Sequence, residues 1–410
     1  MSEIKRNQMN PNRTCWCKFI LYFLAVLVLN ITIATKAFAD SENIFSKAWH
    51  AMTKSKVLRL IDTVKYKDNK KFQDMTAVAW SPDGRWIATT GFSRVTIWDA
   101  ATLSIRHDLE QEDKGSALNN ITFSPDSKYL ASGVKSVSIW KVTDGTLVTS
   151  LIAPHVTPDP PYTDIRSLRF SPDGKMLMIA YRIGLKCMVS AYRTKDWQLA
   201  WTYEPQDILE PPNGLTTPNI TPSLAFTPDS KNVILGTGEE GTENVNFKRM
   251  SRVLILDAQS GKLLRSIDDI HVLEPTALTV SPNGKLVATG TCTGQREQRA
   301  NEKANQMVTV ENKDPVRIWN LETGKLVREL PVHYEVNYLT FSKDGKYLFG
   351  ALSVYSTSIR LIVWDVASGK IVQEVKENTV PMVLALSPDG KKLAEAALSR
   401  LSIYQITTGN

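Results

Sequence analysis

"LSIYQITTGN", Leu401 to Asn410, closes the chain, and it writes out only part of a phrase given in full elsewhere. "VRIWNLETGKLVREL" (Val316–Leu330) and "LIVWDVASGKIVQEV" (Leu361–Val375) begin alike, turn at a Gly, and add a further apolar run. Alternation of aromatic and β-branched residues with polar ones is the pattern of a strand with one buried face. The last phrase is therefore one strand short. A spare strand stands near the other end of the chain, "KVLRLIDTVKY" (Lys56–Tyr66), ahead of the first complete unit. Set after "TTGN" it supplies "KVLRLI" where the full phrase has "KLVREL". The N-terminal strand is expected to complete the C-terminal sheet and close a ring, which removes two exposed sheet edges.

The ring follows from a repeat. "SPDG" starts at Ser81, Ser171 and Ser387, with variants "SPDS" at Ser124, "TPDS" at Thr227, "SPNG" at Ser281 and "SKDG" at Ser342. Pro presets φ, Asp bonds its own backbone and Gly accepts positive φ, so each tetrapeptide is a turn. A short alternating run precedes it ("SLRF", "YLTF", "VLAL") and another follows ("RWIATTG", "KLVATGT"). A third run ends in an aromatic in most units ("VTIWDA", "VSIWKV", "LSIYQI"), and a polar turn then leads to a fourth. The expected fold is all-β, a seven-bladed β-propeller of four-stranded antiparallel blades over residues 57–410.

With that grammar the chain resembles the WD-repeat family of β-propellers, in an exported bacterial form. The "WD" dipeptide stands at Trp98-Asp99 and Trp364-Asp365 and is altered to Trp140-Lys141, Leu256-Asp257, Trp319-Asn320 and Tyr404-Gln405. The third unit, "MVSAYRTKDWQLAWTY", departs furthest. In this family a His ten residues before the turn Ser often bonds a blade Ser or Thr, which in turn bonds the strand-c Trp. His271, Thr289 and Trp319 stand in those places, so the resemblance implies a structural hydrogen-bond relay there. Ile270 replaces the usual Gly, and the supporting Asp after the second strand is absent.

Composition narrows the function classes. Hydrophobic content of 42% and charge content of 22% suit a globular chain, and the formal charge of +7 is concentrated at the N-terminus. Residues 1–39 carry five Lys/Arg and one acid, leaving 44 basic against 41 acidic residues in the rest. A near-neutral body excludes a dedicated nucleic-acid binder, whose affinity needs clustered cations. The basic start, the apolar run Phe19–Ala34 and "AFA" (Ala37–Ala39) read as a signal peptide over 1–39. The expectation is a periplasmic or secreted protein without stable membrane insertion; the alternative is a membrane anchor by an uncleaved signal. Residues 40–56 read as a linker or short amphipathic helix, packed on the rim or docking to an envelope component. Cys187 and Cys292 read as buried thiols.

Strand parity sorts the connections. The a–b and c–d turns share one face, and the b–c and d–a connections share the other. The long segments, Ala153–Ile165, Glu204–Pro222, Gly238–Arg252, Thr293–Pro315 and the smaller Ser353–Ser358, all belong to the second face, mostly in blades three to five. Long connections carry function more often than framework does. Tyr162, Asp207, Glu210, Glu239, Glu240, Phe247, Arg296, Arg299 and Tyr355 are the candidate partner-binding residues, offering the aromatic and charged groups that interfaces use. The charged loops could equally pair with one another.

No nucleophile, zinc or phosphate-loop motif appears, and no cofactor is expected. The reading is a non-enzymatic, monomeric scaffold that binds an envelope protein or complex. The alternative is a propeller enzyme, a metal-dependent hydrolase or lactonase at the central channel, using histidines such as His155, His271 and His333.

Overall fold

The computed structural model describes residues 57–65, 75–91, 93–111, 120–152, 154, 163–183, 186–204, 222–239, 250–268, 270–271, 275–291, 314–332, 334–354, 358–377, 383–397 and 400–407. β1 (Leu58–Lys65) comes first. Blade one follows with β2 (Ala77–Trp80), β3 (Trp86–Thr90), β4 (Arg94–Asp99) and β5 (Ile105–Glu110), and blade two with β6 (Ile121–Phe123), β7 (Tyr129–Gly133), β8 (Ser136–Lys141) and β9 (Leu147–Ile152). Blade three is β10 (Thr163–Phe170), β11 (Met176–Ile183), β12 (Lys186–Arg193) and β13 (Leu199–Tyr203); blade four is β14 (Ser223–Phe226), β15 (Asn232–Glu239), β16 (Met250–Asp257) and β17 (Leu263–Asp268). Blade five is β18 (Ala277–Val280), β19 (Leu286–Gly290), β20 (Val316–Asn320) and β21 (Leu326–Leu330); blade six is β22 (Glu335–Phe341), β23 (Tyr347–Val354), β24 (Ser358–Asp365) and β25 (Ile371–Glu377). Blade seven has β26 (Val383–Leu386), β27 (Lys392–Ala397) and β28 (Arg400–Ile406), and takes β1 as its fourth strand. All sheets are antiparallel and four-stranded, and the innermost strands adjoin in the closed cycle β2, β6, β10, β14, β18, β22, β26 and back to β2.

The repeated tetrapeptide builds the a–b turn by one set of bonds. Ser81 Oγ donates to Asp83 Oδ1 (2.7 Å) and accepts from Trp86 N (2.9 Å), while Arg85 N donates to the same carboxylate oxygen (3.0 Å). The pattern recurs at Ser124, Ser171, Thr227, Ser281, Ser342 and Ser387. Two units place Ser where the others have Gly, at φ of 59° (Ser127) and 61° (Ser230). A side chain in the left-handed region costs about 1 kcal/mol. Here each hydroxyl gains a partner in the preceding blade, accepting from Asp83 N (3.0 Å) and Asp173 N (2.9 Å). Sequence variation in the turn thus becomes a hydrogen bond between blades.

These turns tie stability to acid. Burial alone would raise the carboxyls of Asp83, Asp126, Asp173 and Asp344, but hydroxyl and amide donors outweigh it and hold all four below the ordinary carboxylate value. At Asp229 and Asp389 the Thr227 and Ser387 hydroxyls lead, in the same direction. A carboxyl whose folded pKa is depressed contributes stability fully above its unfolded pKa and loses it as pH falls through the folded one. The melting temperature should therefore be flat from about pH 7 to 5 and fall steeply below about pH 4. A steep loss already between pH 7 and 5 would contradict this origin.

The core sits between blades rather than within them. Seven buried clusters each join two neighbouring sheets; one unites Ile165, Leu168 and Leu177 of blade three with Val137, Ile139 and Leu151 of blade two. No blade is a core of its own, so each depends on both neighbours.

Closure follows the same logic. In six blades strand d bulges opposite the junction of the aromatic position and the residue before it, as at Ile97/Trp98 and Val363/Trp364. β1, from the opposite end of the chain, bulges at the equivalent point: Leu60 faces Tyr404, Asp62 faces Ile403, and Ile61 is left over. The register is not that of the simple splice. Lettering "KVLRLI" onto "KLVREL" puts Val57 in Leu326's place, but Leu60 holds it. With no covalent turn to return through, β1 runs on past Ile406, and Thr407 N donates to Val57 O at 2.8 Å. Val57 and Leu58 bury against Phe349, Leu361 and Val363 of blade six. Gln373 of β25 clamps the strand's start, accepting from Leu58 N (2.7 Å) and donating to Leu58 O (2.9 Å).

Candidate functional site

The two faces are built to different tolerances. All seven a–b turns, 81–85 through 387–391, and the six c–d turns within the chain, 100–104 through 366–370, have five residues each. On the other face the connections range from the pair 134–135 in blade two to the stretch 291–315 in blade five. Turns with fixed hydrogen-bonded geometry cannot change length without losing their bonds, whereas the other face has no such template.

The boundaries revise several expectations. β15 extends to Glu239 and β16 begins at Met250, so that insertion shrinks to 240–249. The expected smaller insertion at Ser353–Ser358 lengthens the strands: β23 and β24 have eight residues each, against five and six for β3 and β4, and the link 355–357 is as short as 91–93 in blade one. The d–a connections 66–76 and 111–120 match 153–162 in length, so moderate length is spread around the ring. Only 204–222 and 291–315 stand well above the rest, both in blades three to five.

Of the candidate partner-binding residues, Glu239 ends β15 opposite Met250. Tyr162, Asp207, Glu210, Glu240, Phe247, Arg296, Arg299 and Tyr355 lie outside the described residues, as do His155, Cys292, His333 and residues 1–56. Cys187 is buried in β12.

Where the longest connection re-enters the fold, the side chains are well defined. Trp319 Nε1 donates to Thr289 Oγ1 at 3.1 Å, and that oxygen lies 2.8 Å from His271 Nε2. An indole N–H only donates, so the threonine oxygen accepts it. On the other side of the imidazole, His271 Nδ1 lies 3.1 Å from both Asp314 Oδ1 and Arg317 Nη1. Asp314 also takes Arg317 Nη1 (2.7 Å), while Arg317 reaches Ile270 O (2.6 Å) and Glu329 Oε1 (2.9 Å). The His271 side chain is fully buried and Asp314's is 8% exposed. Sequence reading finds no aspartate after strand b of this blade; Asp314 fills the role from the far end of the 291–315 connection. The network holds the foot of that connection against blade five.

Other blades solve the same position differently. In blade two Gln111 stands in for the histidine, its amide bonding Ser132 Oγ, which also accepts Trp140 Nε1 (3.2 Å). In blade one Trp98 Nε1 donates to Thr89 Oγ1 at 2.9 Å. Blade three has Tyr192, whose hydroxyl donates to Ile152 O of blade two (2.8 Å) and whose pKa burial pushes up to about 12. Blade four has Leu256 and Leu235 at the two positions, both fully buried. In blade six Gly350 leaves space for the ring of Trp364, and the buried indole nitrogen has no hydrogen-bond partner among the described residues.

The seven-bladed ring, the strand-c tryptophans and their hydroxyl partners now stand beside a direct comparison. The family model described as "WD domain, G-beta repeat" matches residues 66–99, which include β2, β3 and β4 through the Trp98-Asp99 pair. That stretch is a WD repeat, and the ring around it is a seven-bladed β-propeller. No curated protein matches it. WD-repeat propellers commonly serve as protein-interaction scaffolds and are typically non-enzymatic. Among the described residues no group of three or more His, Cys, Asp or Glu gathers as a metal site, and no helix is long and apolar enough to cross a membrane. His271 spends both ring nitrogens on Thr289 and Asp314. It has no lone pair left for a metal while that network stands.

Proposed function

We propose that this WD-repeat propeller is a non-enzymatic scaffold of the cell envelope, exported by residues 1–39, that binds a protein partner through the face carrying the b–c and d–a connections of blades three to five. The observation that supports this is the contrast between faces: every described turn of one face has five residues, while 204–222 and 291–315 extend the other. Drift in loop length would reach any turn not fixed by its bonds. Its concentration in two stretches that both fall within blades three to five is what selection for a contact surface produces. The foot of one of them is pinned by Asp314, which limits the freedom lost on binding. The working form is a monomer, with the signal removed and the propeller in the periplasm or outside the cell.

Crosslinking mass spectrometry on tagged protein in its native envelope tests this, beside a variant with 205–221 and 293–312 shortened and Asp314 kept. The expected result is reproducible crosslinks to one protein or complex, lost in the trimmed variant. Crosslinks indifferent to trimming, or none specific to the protein, would refute the assignment of this face.

A further inference from the structure

On the opposite face, between blades two and three, a recess of about 490 Å³ is lined by Tyr129, Phe170, Thr194, Gly174 and two aspartates, Asp126 and Asp173. Phe170 is buried and Tyr129 half-buried, and the carboxylates are exposed. Behind the rings stands Trp197, edge-on to Tyr129 at 5.5 Å and to Phe170 at 6.4 Å between centroids.

Blade three departs from its sisters at two positions that converge here. The residue whose amide returns to the a–b turn is Ala100, Val142, Ala258, Leu321, Val366 or Ile406 elsewhere, and Thr194 in blade three. Thr194 donates its hydroxyl to Gly174 O at 2.6 Å, across the recess wall. Four residues after the strand-c end, four blades have Gly at positive φ, blade one has Leu103 at φ 55° and blade three has Trp197 at φ 57°. A bulky side chain in that conformation is strained and persists where its surroundings hold it. Trp197 adds a third ring behind Tyr129 and Phe170.

We propose that this recess binds a guanidinium group, the head of an arginine side chain presented by a protein partner. Ring faces attract a planar cation, and its donor fork suits carboxylate acceptors better than an ammonium does. Asp126 and Asp173 are held by Ser124 and Ser171 hydroxyls and by the amides of Lys128 and Lys175. Their other oxygens face Lys128 Nζ (3.2 Å) and Lys175 Nζ (3.5 Å). Both lysines are exposed, and such pairs are weak enough to yield. This site lies on the short-turn face and does not depend on the scaffold assignment of the long connections.

The test is an NMR titration of the full chain, following the Trp197 indole signal assigned through Trp197→Phe. The probes are N-acetyl-arginine methylamide, its citrulline analogue and its lysine analogue. The expected result is a saturable shift with arginine in the millimolar range, about 1–10 mM for a fragment of this size, at least about tenfold weaker with citrulline and weaker with lysine. The double variant Asp126→Asn/Asp173→Asn should lose the arginine response at least about tenfold. It should fold, because Asn283 already serves the equivalent turn with an amide oxygen. Should its melt fall, the salt dependence of the wild-type response replaces it, with weakening expected at high salt. Absence of a saturable shift, equal response to citrulline or lysine, or an unchanged response in a normally melting double variant would each overturn the proposal.

Discussion

Deleting residues 57–64 should cost this propeller most of its stability, although the segment lies at the far end of the sequence from the blade it completes. The loss has three parts. Val57 and Leu58 leave the core they share with blade six, and burying a residue of this size is worth about 1.5–3 kcal/mol. The β1–β28 ladder disappears, with a net value of about 1 kcal/mol per hydrogen bond. Leu401, Ile403, Tyr404 and Ile406, now buried, stand on a naked edge. The sum is on the order of 5–10 kcal/mol, comparable with the whole stability of a folded domain. We expect the single cooperative melt to be replaced by a broad transition at least about 10 °C lower, together with aggregation through the open edge of β28. Gln373→Leu should give a smaller loss in the same direction, about 2–3 kcal/mol, because it leaves the buried Leu58 amide and carbonyl without their partner. The peptide Lys56–Tyr66 added in trans should raise the deletion's melting temperature. A deletion variant that melts like the parent would show that the ring closes some other way.

That closure was legible because strand pairing leaves a pattern in composition: an incomplete phrase at one end and an unpaired alternating run at the other. Its register was not, because register depends on a turn that here does not exist, so Leu60 and not Val57 faces Tyr404. The same division runs through the candidate site. His271, Thr289 and Trp319 stand at fixed distances from the Ser281 turn, within rigid elements whose lengths do not vary. Asp314 is separated from Thr289 by a connection of arbitrary length, so no spacing rule could find it. Gln111 was hidden differently: it follows β5 directly and fills the histidine's place in blade two, but it opens the ten-residue connection 111–120, whose length moves it out of register with Ser124. The blade-six link shows the converse. "SVYSTS" reads as a loop insertion, yet β23 and β24 take half of it, 353–354 and 358, into longer strands. Trp197 was visible only as a departure from the repeat; what it packs against depended on seeing blades two and three together.

Breaking the blade-five network should produce the second largest effect, and its size distinguishes a chain of bonds from a set of neighbours. Thr289→Val keeps the shape of the side chain but strands two polar atoms, the Trp319 indole N–H and His271 Nε2, in a site with no access to water. Each unsatisfied buried group costs about 1–3 kcal/mol, so the variant should lose about 2–4 kcal/mol in chemical denaturation. His271→Leu should cost a similar amount, since it removes both ring nitrogens, the one that bonds Thr289 and the one that faces Asp314 and Arg317. The double variant should cost less than the sum by about 1–2 kcal/mol, because once either link is gone the other has less to lose. The protein contains its own comparison. In blade six Gly350 removes the hydroxyl altogether and the buried Trp364 indole has no partner among the described residues, so one unsatisfied indole is tolerable when the ring packs tightly. What blade six lacks is an aspartate to anchor. Asp314→Ala should therefore do something its stability cost does not explain: it should release the foot of the 291–315 connection and reduce partner crosslinking more than Thr289→Val does at equal stability. Additive single costs, or Asp314→Ala crosslinking that tracks stability alone, would reduce the network to ordinary packing.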